Sequence, residues 1–480
     1  MSDTKLFLLI DQGGQSSRVQ LVNAEGNERF ATRRPVKTRA PQAGRVEQDG
    51  ERILTDLRDA IREALNAPGI NARALVAAGL AVQRGNVLCW DRDTGQALTP
   101  VLSWRDRRQP RHCPPEDVGE RVRRETGLRH SAYGGAAKLR WCLESVPEVL
   151  RAMERGRLAF GPLGAFLLRG LVAEHPHLVD ETLAQRTLLY SPATRDWSPA
   201  LLEAFGLPLE PLPVAVPAEH EFGRLIDADH PLPLKLAIGD QNAVPAIEAE
   251  PGSDCAFINL GTGAFILRPL PPGDAPSHPE PFQLSIIGRT GQHLHYALEG
   301  SVHGAGSALK RLTAEHGIAN VDQAIGKALG SEIRPGLFLN TVDGLGSPWW
   351  YAGGQPEFVP AAALSDSQRV AAVVESIVFL LRVNLQLLVA KRGAVRCVRV
   401  AGGLSRSERL CQRLADGLRC RVERLRDGEA TSLGVWRRLS GSHQPGPGYQ
   451  TFEPETTPGL EERYRRWLAH MPDVPDLGGE

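Results

Sequence analysis

Six residues suited to holding phosphate crowd one turn near the start of the chain: Asp11, Gly13, Gly14, Ser16, Ser17 and Arg18. Asp11 ends an apolar run, and a carboxylate there suits Mg²⁺. Gly13 and Gly14 bare the main-chain amides. Ser16 and Ser17 add hydroxyl donors, and Arg18 adds a forked, permanent cation. Together they read as a polyphosphate cradle. The same residues also fit an ordinary glycine-rich hairpin with solvated charges. No Gly-Lys-Ser or Gly-Lys-Thr follows, which excludes a Walker A loop. A second apolar–glycine–apolar pattern spans 257–267, with Gly261, Thr262 and Gly263 at its turn. Two such hairpins, each opening one half of the chain, predict duplicated halves with facing phosphate loops.

Other sites sit at predicted strand ends. Gln83 and Arg84 follow a buried strand over 75–82, at the carboxyl edge where open α/β sheets gather ligands. Gly239-Asp240-Gln241 follows a strand over 234–238. Asp240 there is placed as a general base, or equally as the cap of a helix over 243–248. Trp104 sits in the charged run 103–108, which reads as a solvated face or as the wall of a polyol pocket. Gly402 and Gly403 join a strand over 395–400 to a helix over 408–418, where Ser407 precedes the helix. Such a turn lets a planar base or a phosphate approach the backbone.

The elements that position these residues are legible in pattern. Three short antiparallel strands open the chain, unlike the strand-to-helix opening of a dinucleotide fold. Asp49 is placed to cap a helix over 50–66. A long apolar-periodic helix covers 364–389, and a last core helix starts near Glu429. The tail from Ser440, with a charged helix over 460–471, is expected on the surface.

Composition sets outer limits. A chain of 480 residues predicts two or more domains. Hydrophobic residues make up 42% and charged residues 23%, the profile of a soluble globular protein. The zero net charge gives no reason to expect nucleic acid or an anionic membrane as partner. Seven scattered cysteines without a CxxC pair predict reduced thiols. No run is read as long enough to span a membrane and no signal pattern opens the chain, so the expected location is cytoplasmic.

The ordered set of motifs over 6–439 resembles the FGGY carbohydrate kinases, and within them the glycerol kinases. It includes Asp11 with Ser16-Ser17-Arg18, Gln83-Arg84, the Trp104 run, Tyr133-Gly-Gly, Asp180 with Gln185-Arg186, Gly239-Asp240-Gln241, Gly261-Thr262-Gly263, Ala297-Leu298-Glu299, and Gly402-Gly403. The resemblance implies an α/β fold of two actin-like (ribonuclease H-like) domains flanking a deep catalytic cleft. Residues 1–244 and 245–440 would form them, with 441–480 as a tail. It implies ATP and Mg²⁺ as cofactors and a small polyol or sugar as acceptor. Asp240 matches the general base, and Asp11, with Asp240, the metal side. Gly13, Gly14, Ser16, Ser17 and Arg18 match the first phosphate loop, and Gly261, Thr262 and Gly263 the second. Gly306 and Lys310 match positions near ribose and base, and Gly402, Gly403 and Ser407 the adenine side. Gln83, Arg84, Trp104, Tyr133, Asp240 and Gln241 match the acceptor side. Such kinases often form homodimers or homotetramers; no residue here marks an interface.

Some positions depart from the family pattern. Gly85 stands where glycerol kinases carry Glu, Gly14 replaces a Thr, and Ser407 replaces an Asn. Loss of a polyol-binding carboxylate redirects specificity, so glycerol itself is in question. Two alternatives stay open: a nucleotide-binding sensor of the same fold with weak or no kinase activity, and a plain ATPase.

Overall fold

The computed structural model describes residues 5–108, 116–131, 134–226, 228, 230–247, 254–318, 320–330, 335–351, 353–360, 364–426, 429–442 and 448–474. Tyr133 lies outside them.

Both halves are built the same way. In the first, Leu6–Gln12, Ser16–Asn23 and Glu28–Pro35 form an antiparallel meander. Leu75–Val82 and Pro233–Gly239 extend it in parallel, and Glu219–Arg224 closes the edge. In the second, Cys255–Leu260, Ala264–Pro269 and His293–Val302 form the meander. Cys397–Ala401 and Arg421–Leu425 extend it in parallel. The expected duplication is present. In each half the inner strand reads as a near-continuous apolar run because helices cover both faces of the sheet. A separate five-stranded sheet, which includes Val87–Asp91 and Leu158–Pro162, belongs to the first half.

The helices obey their local signals. Asp49 caps Gly50–Leu65, its carboxylate accepting from the Arg52 amide. Ser365 and Gln368 form a capping box at the head of Asp366–Arg392. That helix is long and apolar enough to cross a membrane, which corrects the expectation that no such run exists. Most of its apolar length is buried as the central helix of the second half.

Other expectations are also corrected. The tail is no surface appendage. Tyr449–Phe452 pairs with Arg421–Leu425, and Tyr464 and Trp467 of the Leu460–Leu468 helix are buried against Phe379. Its charged residues form only the outer face. Among the thiols, Cys255 and Cys397 are register partners on adjacent strands and are joined in a disulfide. Cys89, Cys142, Cys411 and Cys420 are free. Asp240 does not cap a later helix; Gly239 is the cap residue and Asp240 opens the helix Asp240–Ala243.

One helix locks the halves together. Ala430–Ser440 lies across the first sheet, with Val435 and Trp436 packed in a core shared with Phe7, Leu9, Ala77 and Ile238. The Trp436 indole donates to Asn23 O at 2.9 Å. Its contacts admit no extra atoms: a Cβ at Gly434 would lie 2.1 Å from Ala243 O, and one at Gly79 would lie 2.7 Å from Val435. Trp436→Ala is expected to cost about 3 to 5 kcal/mol, through lost burial and a lost indole bond. Urea denaturation checks this; a midpoint equal to wild type would show that the helix is not a structural lock.

Candidate active site

A cleft of about 570 Å³ opens between the halves. Asp240 reaches it from the end of Pro233–Gly239, and a chain of bonds fixes that end. Asp180 accepts from the Thr182 amide at 2.9 Å and the Leu183 amide at 3.1 Å. The Thr182 hydroxyl in turn accepts from the Gly239 amide at 2.8 Å. Gly239 admits no side chain, since a Cβ would lie 2.5 Å from Asn242 Oδ1. Burial pushes the Asp240 carboxyl up, against the pull of Arg84 and of the Gln241 amide, which donates to it at 2.7 Å. A carboxylate so raised is a stronger proton acceptor than a solvated one.

Beside it, Glu299 from the second half binds two arginines of the first. Arg84 donates to it at 2.8 and 3.1 Å, and Arg186 at 2.6 and 3.2 Å. The Ser285 hydroxyl adds a bond of 2.7 Å. Burial alone would push Glu299 up, but Arg186 and Arg84 hold it down to about 2. Glu299 is therefore ionised, and it fixes the Arg84 guanidinium at the cleft floor. Neither Glu299 nor Arg186 was singled out by sequence beyond a motif position. The available signal was a lone carboxylate in the apolar run Tyr-Ala-Leu-Glu-Gly.

Glutamines and a lysine hold the remaining floor. Gln83 donates to Gln12 at 3.1 Å and to Gln48 at 2.8 Å, while Gln48 donates to Gly14 O at 3.0 Å. The buried carbonyl oxygens of Gln83 and Gln241 have no partner. Lys138 donates to Ser103 O at 2.8 Å and Gly85 O at 3.3 Å, tying two loops together; burial lowers it to about 7. Gly85 has φ +72°, a backbone that penalises any side chain. In the run 103–108 Arg105 is exposed, but the other charges do not form a solvated face. Asp106 is fully buried, accepts from the Val46 amide at 2.7 Å, and pairs with Arg108 at 2.8 Å. This network presents Trp104 to the cleft, edge-on to Phe265 of the other half at 6.2 Å.

The residues expected on the nucleotide side divide. Gly14, Gly261, Thr262 and Gly263 line the cleft. Gly13 closes the first turn by donating to Ser16 O at 3.0 Å. Ser16 accepts from Arg33, Ser17 is buried without a partner, and Arg18 pairs with Glu28 at 2.9 Å and Glu429 at 3.4 Å. Gly306 donates to Gly261 O at 3.1 Å, and a Cβ there would lie 2.6 Å from that oxygen, so it seats the second turn on the helix Gly306–Glu315. Lys310 is exposed on that helix, away from the cleft lining. Gly402, at φ +93°, packs on Asn259, Gly403 faces open space, and Ser407 caps Glu408–Leu418.

Asp11 meets the fit expected of a cation ligand. Burial first, then the negative charges of Asp240 and Glu429, push it up to about 7. A bound cation relieves that repulsion. Among the described residues no cluster of three or more His, Cys, Asp or Glu encloses a metal. A Mg²⁺ on Asp11 would therefore complete its shell with phosphate oxygens and water.

Asp11 and Asp180 are both raised from 3.8 to about 7, the latter by burial. A carboxyl raised on folding stabilises fully below its unfolded pKa and loses that contribution as pH rises through the folded one. Without metal, these two groups should cost the protein stability between about pH 4 and pH 7. Asp11→Asn should flatten part of that loss. Melting temperatures at about pH 5 and pH 8 check this; an unchanged difference between them would remove Asp11 from the effect.

The FGGY family of carbohydrate kinases, N-terminal domain, matches residues 6–246, and the C-terminal domain of that family matches 256–438. The chain is 32% identical to a glycerol kinase of Ectopseudomonas mendocina, covering 99% of this chain and 100% of the relative. It is also 32% identical to a glycerol kinase of Thermus brockianus, covering 98% and 95%. Its fold matches a Plasmodium falciparum glycerol kinase with ADP at TM-score 0.80, with 21% identity and 96% of each chain covered. It matches a xylulose kinase of Rhodospirillum rubrum at 0.79, with 18% identity over 97% and 98%. The chain belongs to the FGGY family of carbohydrate kinases, enzymes that phosphorylate a sugar or polyol with ATP.

Proposed function

We propose that the protein transfers the γ-phosphoryl group of ATP to a hydroxyl of a small acceptor in this cleft, in the cytoplasm, with Asp240 as the general base. The observation that carries this reading is the raised Asp240 carboxyl at the end of a pinned strand, in a cleft that Gly261, Thr262 and Gly263 also line. Asp240 takes the proton of the attacking hydroxyl on its carboxylate. Arg84, Gln241 and Gln83 orient the acceptor, with Tyr133 assigned beside them, and Trp104 and Phe265 pack on its C–H faces. The first turn, with Gly13, Gly14, Ser16, Ser17 and Arg18, and the second, with Gly261, Thr262 and Gly263, hold the phosphates. Gly306, Lys310, Gly402, Gly403 and Ser407 form the nucleoside side. Asp11 would hold Mg²⁺, which would supply charge neutralisation for the phosphates. In-line placement and exclusion of water account for the catalysis, since phosphoryl transfer asks little covalent work of a protein.

Asp240→Asn should lower kcat by about a hundredfold to ten-thousandfold while nucleotide binding persists. Near-normal turnover would exclude Asp240 as the base. Glu299→Gln should free Arg84 and raise the acceptor KM, lowering kcat/KM by about tenfold to a hundredfold. An unchanged KM would show that Glu299 serves folding alone. ADP release over a panel of polyols, sugars and hydroxy acids tests the reading as a whole. ATP binding without turnover would favour a nucleotide sensor, and turnover indifferent to the acceptor would favour a plain ATPase.

A further inference from the structure

We propose that the acceptor bears a carboxylate at the end away from the reacting hydroxyl, and that the Arg129 guanidinium receives it. The substrate class is then a short-chain hydroxy acid rather than a neutral polyol. This rests on the kinase reading above.

Four arginines line the cleft: Arg84, Arg107, Arg129 and Arg186. Arg84 and Arg186 share Glu299, and Arg107 donates to Asp343 O at 3.0 Å. The Arg129 guanidinium has no hydrogen-bond acceptor among the described residues. It lies over the Trp350 ring at 5.6 Å, and that ring also faces the cleft. The nearest acid acting on it, Glu280, is paired with Arg123 at 3.3 Å. A desolvated guanidinium repelled by a second arginine and short of a counter-ion is a receptor for an anion.

Its position suits the acceptor rather than the nucleotide. The Arg129 amide donates to Gln283 Oε1 at 3.1 Å, and Leu284 donates to Gly127 O at 2.8 Å, so the loop is fastened to the edge strand Gln283–Thr290. Gln283 is the register partner of Glu299, which holds Arg84. The strand Ala264–Pro269 lies two strand spacings, or about 10 Å, away, and the register sets Leu267 level with Gln283, so the second phosphate turn, five residues further along, stands roughly 20 Å off. Between them lies room for an acceptor several carbons long. Gly85, lining the same cleft, adds no negative charge to repel an acid. With its oxygen engaged, Gln283 keeps its amide NH₂ as a second donor. One fork and one amide match a carboxylate; a phosphate dianion calls for a second free cation, and the other three arginines are engaged.

The test pairs each hydroxy acid with the polyol of equal length: glycerate with glycerol, erythronate with erythritol, xylonate with xylitol, gluconate with sorbitol. One acid should exceed its polyol in kcat/KM by about tenfold or more. Arg129→Gln should lower kcat/KM for that acid by about a hundredfold, chiefly through KM, against a loss within about fivefold for the polyol; Arg129→Lys should restore part. Preference for a neutral polyol would overturn the proposal and leave the kinase intact. Equal losses on acid and polyol, or a rise in the KM for ATP alone, would overturn it too. If no acceptor is consumed while ATP binds, the kinase reading itself fails. Calorimetric titration of the ADP-bound protein with the four acids then decides the anion site, and absence of Arg129-dependent binding rejects it.

Discussion

One buried carboxylate holds the cleft in shape. Glu299 gives up water and is compensated by two guanidiniums from residues far away in sequence and by the Ser285 hydroxyl of the neighbouring strand. An isolated buried charge costs several kcal/mol, and a pair recovers that only with full hydrogen bonding. Both Glu299 oxygens are engaged, so the condition is met. Because Arg84 and Arg186 belong to one half and Glu299 to the other, the bond also fixes how the halves face each other across the cleft. Any sliding of the second sheet would move Arg84 with it.

The same demand for close fit governs the rest of the interface. The helix Ala430–Ser440 approaches the segment that carries Asp240 so closely that Gly434 meets Ala243 O. Thr431 reaches Asp240 O at 3.5 Å from the first turn of that helix. Arg18 and Glu429 form a second ionic link between halves beside Asp11. The proposed base, cation ligand and phosphate turns are thus borne on strand ends, joined by contacts that cannot relax independently. Phosphoryl transfer depends on such placement more than on any single reactive group.

Buried ionic networks also do work that looks superficial in the primary structure. The run around Trp104 reads as a charged surface, yet Asp106 and Arg108 are interior and Arg108 lies over Trp141 at 4.6 Å. Their role is to hold the loop that carries an exposed aromatic face into the cleft. Lys138 does the same from below, bonded to two backbone carbonyls at the cost of a lowered pKa.

The sequence by itself determined the two glycine-turn hairpins, the strand-borne Gln83, Arg84 and Asp240, and the helix cap at Asp49. Each depends on residues within a few positions of one another, so spacing and residue type carry the information. It also determined the duplication, because both hairpins repeat one pattern. Only the tertiary structure decided that Glu299 joins Arg84 to Arg186, that Arg129 stands over Trp350 with no counter-ion among the described residues, and that the 460–468 helix is core. Those outcomes depend on pairings across more than a hundred positions, or on which side of a helix meets another element. The burial that gives a charged residue its role is absent from local pattern, since a lone Glu in a strand or an Arg in a loop reads alike in solvent and in a cleft.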